Sequence, residues 1–489
     1  MMFDGIPDLL AARTAVTPNR TALVDTRKDR EWTVATLDGV VDDVAAQFSA
    51  HLDGTESPRV ACLLSTRFAF AATLHASIRI GATLVALGAD RAADAVRAQC
   101  LRVDPDLLVC EAETEALAVG AGEGTVLSAD DPERERVGSV FSPATVDDVE
   151  RTAVDPDDTA VILFTSGTTG EPKAVRLTAR NLTASATASA FRLGIAPDDT
   201  WLCCLAPHHM GGLAPFYRTV LYGTTLALQP GFDTDRTARV LREYDVTGVS
   251  LVPTQLTRLL DAGWSPPPSL GTVLLGGAPA SASLVERALD AGVPLFPTYG
   301  LTETASQVAT ARPSEASDDP GSVGQPLLFT DVTIRDDGPG ETGEIVVDGP
   351  TVTPGYLDPQ QTAAAFCADG LRTGDLGWRD EAGRLHVVGR RDDMILTGGK
   401  LVAPSTVADL LRTHDGVDDA VVVGLDDEEW GERVVALVVA DPELTAERLR
   451  AFCRDRLAGY KCPKTIRFAT ELPRTASGTV DREAVRDRF

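Results

Sequence analysis

Lysine is nearly missing from this chain: Lys28, Lys173, Lys400, Lys461 and Lys464 are the only five among 45 basic residues. Against 72 acidic residues the formal net charge is −27, which excludes a surface built to hold nucleic acid or an anionic membrane. Such a surface suits a protein kept soluble at high salt, where screening blunts self-repulsion, and the expectation is a halophile's cytosol. An acidic surface solvated at ordinary salt is the alternative. Eight cysteines, with Cys203 and Cys204 the only adjacent pair and no C-x-x-C, exclude a disulfide framework and a zinc ligand set. No run approaches the ~18 apolar residues of a membrane span. Residues 1–18 lack a basic stretch followed by an apolar core, so no membrane insertion and a cytoplasmic location are expected.

What is present is enough for more than one core. The 489 residues exceed the roughly 250–300 that one hydrophobic core holds. Short Val/Leu/Ala runs at 60–64, 83–87, 107–110 and 161–164 alternate with helical-period segments such as 68–80, which predicts an α/β fold with a mostly parallel sheet. An acidic, Gly-rich stretch over 112–158 reads as surface loops separating two α/β lobes. From Pro326 shorter strands at 332–335, 343–347 and 385–388, punctuated by Asp-Gly and Pro-Gly, predict a small β-rich lobe. A compact α+β unit follows: helix 406–413, strands 420–424 and 434–439, helix 445–457 and a terminal loop. The boundary falls near Asp392, giving domains of residues 1–389 and 390–489.

The segment with the most chemistry runs from Val161 through Thr165, Ser166, Gly167, Thr168, Thr169 and Gly170 to Lys173. A buried strand entering a Ser/Thr/Gly loop that ends in lysine offers hydroxyls, bare backbone N–H groups and one cation, the components of a polyphosphate cradle. It is not a Walker loop, and alone it reads equally well as a flexible turn.

Six further segments follow in order: His209-Met-Gly-Gly212, Gly276-Gly-Ala-Pro279, Thr298-Tyr-Gly-Leu-Thr-Glu303, Arg372-Thr-Gly-Asp375, Gly389-Arg-Arg-Asp-Asp393 and Pro473-Arg-Thr-Ala-Ser-Gly478. With the loop they resemble the adenylate-forming superfamily of acyl-CoA synthetases, luciferases and nonribosomal peptide adenylation domains, over nearly the whole chain. The resemblance implies an acid:CoA ligase using ATP, Mg²⁺ and CoA, with a small mobile C-terminal domain. Gly276, Gly277, Ala278 and Tyr299 would clasp the adenine, and Asp375 the ribose hydroxyls. Thr302 would contact phosphate and Glu303 would bind Mg²⁺, a cation that favours one or two carboxylates with phosphate oxygens. Thr165, Thr169 and Lys173 would hold the β- and γ-phosphates, and Arg390 would contact the nucleotide. His209 would gate the acyl pocket, its neighbour His208 being the structural one of the two. Asp392 would be the hinge, and Gly398 and Gly399 would line the pantetheine route.

One departure stands out. The family motif P-x-T-x-S-G-K ends in a lysine that bridges the attacking carboxylate and the α-phosphate, and here that place is Thr479. Losing one transition-state donor of this kind costs roughly 10²–10³ in rate. Either adenylation is impaired or another cation substitutes, with Lys461, Lys464 and Arg474 nearest in sequence. Thr406 for a family glutamate and Ala174 for a glycine are expected to matter less. On Leu274-Leu-Gly-Gly-Ala-Pro279 and its spacing to Tyr299, Thr298-Tyr-Gly-Leu-Thr-Glu-Thr-Ala-Ser306-Gln307 and Gly321-Ser-Val-Gly-Gln-Pro326, the chain most resembles, among subfamilies, the 2-succinylbenzoate:CoA ligases of menaquinone synthesis, with Ser306 and Gln307 expected as polar contacts near the acyl pocket. A medium-chain or aryl acyl-CoA synthetase, a nucleotide- or CoA-binding homologue that cannot adenylate, and a domain that loads a carrier protein are the alternatives. A homodimer is compatible with all of these.

Overall fold

The computed structural model describes residues 5–489 apart from 53, 123, 143–152, 166–171, 336–341 and 475–479. Its first sheet has eight strands in the order Gly355–Tyr356, Lys173–Thr178, Thr159–Thr165, Thr83–Ala86, Arg59–Leu63, Leu107–Cys110, Thr125–Ser128 and Val137–Ser139. All pair in parallel except the first two, which run antiparallel. The parallel strands read as unbroken apolar runs because helices cover both faces. Leu107–Cys110, for example, is buried at every position.

A second sheet of nine strands runs from Gln325–Pro326 at one edge to Arg30–Thr33 at the other, with Thr272–Leu275, Gly248–Leu251, Thr200–Cys203 and Thr225–Leu228 parallel at its centre. The helix Met210–Tyr222 is largely buried. The helices Leu9–Val16, Val34–Leu52 and Phe68–Arg79 are tied together by one buried cation: Arg79 binds Asp8 at 2.6 Å, Asp42 at 2.6 Å and Asp38. Removing one member of such a set would strand buried charge, so it fixes how the N-terminal helices meet.

The two lobes are not sequential, which corrects the expectation from sequence. Thr21–Asp25 pairs with Thr225–Leu228 in the second sheet, and Gly355–Tyr356 returns to the first. Nor is the stretch 112–158 all surface loop. Its described part holds the helix Glu115–Ala121 and two strands that extend the first sheet, with Val126, Leu127 and Val137 buried. Runs of three and four residues are too short to display a period, and edge pairing recruits them.

The expected β-rich lobe is a five-stranded sheet built on Gly343–Asp348 and Gly370–Arg379, joined by Asp331–Arg335, Phe366–Cys367 and Leu385–Arg390. The last unit is another five-stranded sheet, with Gly431–Ala440 and Val417–Asp427 forming its long hairpin. The segment expected as a terminal loop contributes Thr465–Phe468, parallel to Gly431–Ala440, and the helix Arg482–Arg486 anchored by buried Val485.

Candidate active site

Ligands in parallel α/β sheets bind beyond the carboxyl ends of the strands, and the expected residues gather there. Thr165 ends one strand, Gly276 follows Thr272–Leu275, Tyr299 lies in Leu295–Leu301, and His209 follows Thr200–Cys203 by a short turn. Ser166, Gly167, Thr168, Thr169 and Gly170 of the loop, and Thr479, lie outside the described residues.

Around Asp375 the side chains already hold one another. Tyr299 donates its hydroxyl to Asp375 Oδ2 at 2.6 Å. Arg390 Nε lies 3.0 Å from Asp375 Oδ1, and its Nη1 donates to the Thr373 carbonyl at 2.9 Å. Burial raises the Asp375 carboxyl above its usual range while Arg390 pulls it back, and burial pushes the Tyr299 phenol well up. Asp375 and Arg390 face each other across paired strands, so the sheet register itself sets this contact.

Glu303, in the short turn Thr302–Thr304, accepts from the Tyr356 hydroxyl at 3.0 Å through Oε1. Its other carboxylate oxygen has no hydrogen-bond partner among the described residues. Lys173 opens its strand opposite Thr165 and places Nζ 5.2 Å from the Tyr356 ring centroid, within cation–π range. Tyr356 thus connects the carboxylate expected to bind metal with the cation expected to bind phosphate. Sequence reasoning missed it. The signal was Gly355-Tyr356 followed by Thr362: a Cβ on Gly355 would lie 2.3 Å from Thr362 Cγ2, and Thr362 Oγ1 accepts from the Tyr356 backbone N–H.

Several glycines answer to their own neighbours. A Cβ on Gly276 would meet Thr298 Cγ2 at 2.6 Å, and one on Gly300 would lie 1.7 Å from the Ser306 carbonyl oxygen. Both keep strands 272–275, 295–301 and 306–310 close enough to form one wall; Ala278 is half-buried on the turn that follows Gly277. Gly398 and Gly399 have φ of +56° and +73° in the two-residue turn between Ile395–Thr397 and Lys400–Val402, a hairpin geometry that requires them whether or not a ligand passes. Asp392 is exposed in the turn Arg391–Asp393 that joins the β lobe to the last unit.

On the acyl side the expected contacts are redistributed. Gln307 is buried, accepting from Ser189 Oγ at 2.7 Å and donating to Thr310 Oγ1 at 2.8 Å, so it braces the wall. Ser306, at φ +119°, contributes backbone to the same wall. Beyond the wall, toward the amino ends of Thr200–Cys203 and Thr225–Leu228 and away from the site, Ser189 lines a cavity of about 20 Å³ together with Asp199, Trp201, Arg218 and Tyr222. Arg218 Nη2 and Trp201 Nε1 are buried there and find no hydrogen-bond partner among the described residues. Burial lowers the Arg218 guanidinium below its ordinary value, and Asp199 lines the same cavity. Arg218 sits on the helix Met210–Tyr222 whose first turn His209 precedes, nine residues or about 13 Å along the axis.

The three cations nearest position 479 in sequence each have a neighbour of their own. Arg474 pairs with Asp419 at 2.9 Å. Lys461 lies over Tyr460 and Lys464 over Trp430, with Nζ 6.0 and 5.3 Å from the ring centroids.

Comparison with known proteins agrees with this layout. Residues 10–357 match the AMP-binding enzyme family and residues 406–479 its C-terminal domain. The 2-succinylbenzoate–CoA ligase of Bacillus pumilus (strain SAFR-032) is 34% identical over 99% of this chain and 98% of its own length. The o-succinylbenzoate CoA synthetase of Bacillus subtilis, in complex with the acyl-adenylate OSB-AMP, superimposes with a TM-score of 0.89 at 32% identity over 99% of each chain. A double mutant of that enzyme bound with its product analogue OSB-NCoA gives 0.74 at 33% identity, over 99% of this chain and 98% of its own. With both family regions matched in order and the whole length aligned, this chain belongs to the AMP-binding enzyme family.

Proposed function

We propose that the protein is an ATP-dependent acid:CoA ligase that converts 2-succinylbenzoate to 2-succinylbenzoyl-CoA. The observation that carries the substrate is the full-length likeness to 2-succinylbenzoate–CoA ligases, 34% identical over 99% of this chain, together with the superposition on the acyl-adenylate complex at a TM-score of 0.89.

In the first half-reaction a carboxylate oxygen of the acid attacks the α-phosphorus of ATP, and the P–O bond to the β-phosphate breaks to release pyrophosphate. Lys173 neutralises phosphate charge, while Asp375, held by Tyr299 and Arg390, accepts from the ribose hydroxyls. Glu303, with one oxygen fixed by Tyr356 and the other open, fits a Mg²⁺ bound mainly by phosphate and water, and the ion when bound would neutralise the phosphates. In the second half-reaction the CoA thiol, losing its proton, attacks the acyl carbonyl and the C–O bond to AMP breaks. The C-terminal domain turns about Asp392 between the two; the lower superposition on the product-analogue complex than on the adenylate complex supports such a turn. A cytoplasmic location and tolerance of molar salt accompany this reading.

The test is thioester formation, followed by mass spectrometry in molar KCl with ATP, Mg²⁺ and CoA. 2-Succinylbenzoate is compared with 4-oxo-4-phenylbutyrate, which lacks the ring carboxylate. The unmodified protein should prefer the diacid by on the order of 10²–10³-fold in kcat/KM. Equal use of both acids by the unmodified chain would defeat the substrate assignment. Thr479 favours a second reading, a homologue that binds nucleotide or CoA without adenylating: pyrophosphate release only from Thr479→Lys would establish it.

A further inference from the structure

The sequence marks His208 as a structural neighbour, yet the structure gives it a charged partner from the other sheet. Its side chain is buried, and Nε2 lies 3.6 Å from Asp90 Oδ1. Its ring packs on that of His209, with centroids 4.2 Å apart and planes at 49°. Asp90 and Arg91 are consecutive in the turn after Thr83–Ala86 of the first sheet, whereas the histidines follow Thr200–Cys203 of the second. The turn is folded tightly: a Cβ on Gly88 would approach both Arg91 Cγ and Asp90 Oδ1 to 3.0 Å. A separate bond from Thr66 Oγ1 to the Leu205 carbonyl, 2.7 Å, joins the segment after Arg59–Leu63 to the histidine turn. His209 itself is exposed at the head of its helix, with its carbonyl accepting from Gly212 and Leu213.

We propose that Asp90 and His208 are positioning residues for His209, holding its imidazole at the acyl mouth, and that Asp90 and Arg91 together set its charge. This rests on the reading of His209 as the gate. The charged and titratable groups facing the histidine pair are Asp90 and Arg91, and each histidine faces the other. Burial pushes His208 down to about 4, with His209 and Arg91 adding to the fall and Asp90 opposing it. Although part of the His209 side chain reaches solvent, desolvation by the protein packed around it and then Arg91 lower it, and Asp90 again opposes. The adjacent opposite charges therefore act as counterweights, and a neutral gate at neutral pH lets an anionic acid pass without being trapped as an ion pair.

The test uses the full chain and two substitutions of side chains on the turn, Asp90→Asn and Arg91→Gln. The His209 imidazole is followed by its NMR titration, assigned by the signal lost in His209→Asn. Without Asp90 the midpoint should fall, and without Arg91 it should rise, each by roughly 0.3–1 pH unit. Asp90→Asn and His208→Phe should also raise KM for the acid about 3–10-fold with KM for ATP unchanged, a split that general loosening of the fold does not produce. Midpoints that stay put in both charge variants, or move in the same direction, would overturn the proposal. An acid KM unchanged in His209→Asn would instead overturn the gate reading beneath it.

Discussion

The nucleotide side and the acyl side of this site are built on opposite plans. On the nucleotide side every acidic group expected to meet ATP is held by a neighbour: Asp375 by Tyr299 and Arg390, Glu303 by Tyr356. On the acyl side the polar groups are spent on the wall itself, Gln307 on Ser189 and Thr310 and Ser306 as backbone. Groups for a ligand shared across a family can be organised in advance.

Damage to the prearranged side should therefore be the more severe and should not depend on which acid is offered. Glu303→Gln keeps an oxygen for the Tyr356 hydroxyl but removes the charge. The acid-dependent exchange of pyrophosphate into ATP should fall by about 10²–10³-fold, equally for good and poor acids. A loss confined to one acid would erase the distinction between the two sides. Tyr356→Phe is milder: one hydrogen bond to a charged group contributes about 1.5–3 kcal/mol, so the Mg²⁺ concentration at half-maximal rate should rise about 10-fold or more. An unmoved Mg²⁺ dependence would mean that Tyr356 only fills space.

The same contrast explains what was legible in the sequence. The nucleotide side is written in short contiguous segments, because Thr302 and Glu303 share one turn and Gly276 and Gly277 another. The acyl wall is assembled from side chains far apart in the chain, Ser189 and Gln307, and only folding brings them together. Ser306 and Gln307 were visible because they adjoin a motif, and the structure turns them into part of that wall. Parallel strands such as 107–110 announced themselves as unbroken apolar runs. The edge strands at 125–128 and 137–139 did not, because their pairing is decided by a neighbour rather than by their own pattern. Tyr356 escaped notice for a similar reason: its partners Glu303 and Lys173 lie 53 and 183 residues away in sequence.

The lysine shortage sharpens the comparison by adding a third region. Of the five lysines, three lie on the C-terminal unit beside two aromatic rings: Lys400 Nζ is 4.6 Å and Lys461 Nζ 6.0 Å from the centroid of Tyr460, and Lys464 Nζ is 5.3 Å from that of Trp430. Trp430 is exposed, as are Leu396 and Leu401 nearby in sequence to the 398–399 turn. In a chain of net charge −27, a cluster of ammonium groups over flat rings suits the adenine and phosphates of CoA. Unlike Arg218 these cations are open to solvent, so their contribution should be small and should shrink with salt. Lys464→Glu should raise KM for CoA about 3–10-fold at 0.1 M KCl and leave pyrophosphate exchange unchanged. At 1 M, where the Debye length is about 3 Å, the difference should nearly vanish. An effect on CoA that persisted at 1 M would require Lys464 to be desolvated in the complex, making this face a built site; an effect on pyrophosphate exchange would place Lys464 among the groups that replace the lysine missing at Thr479.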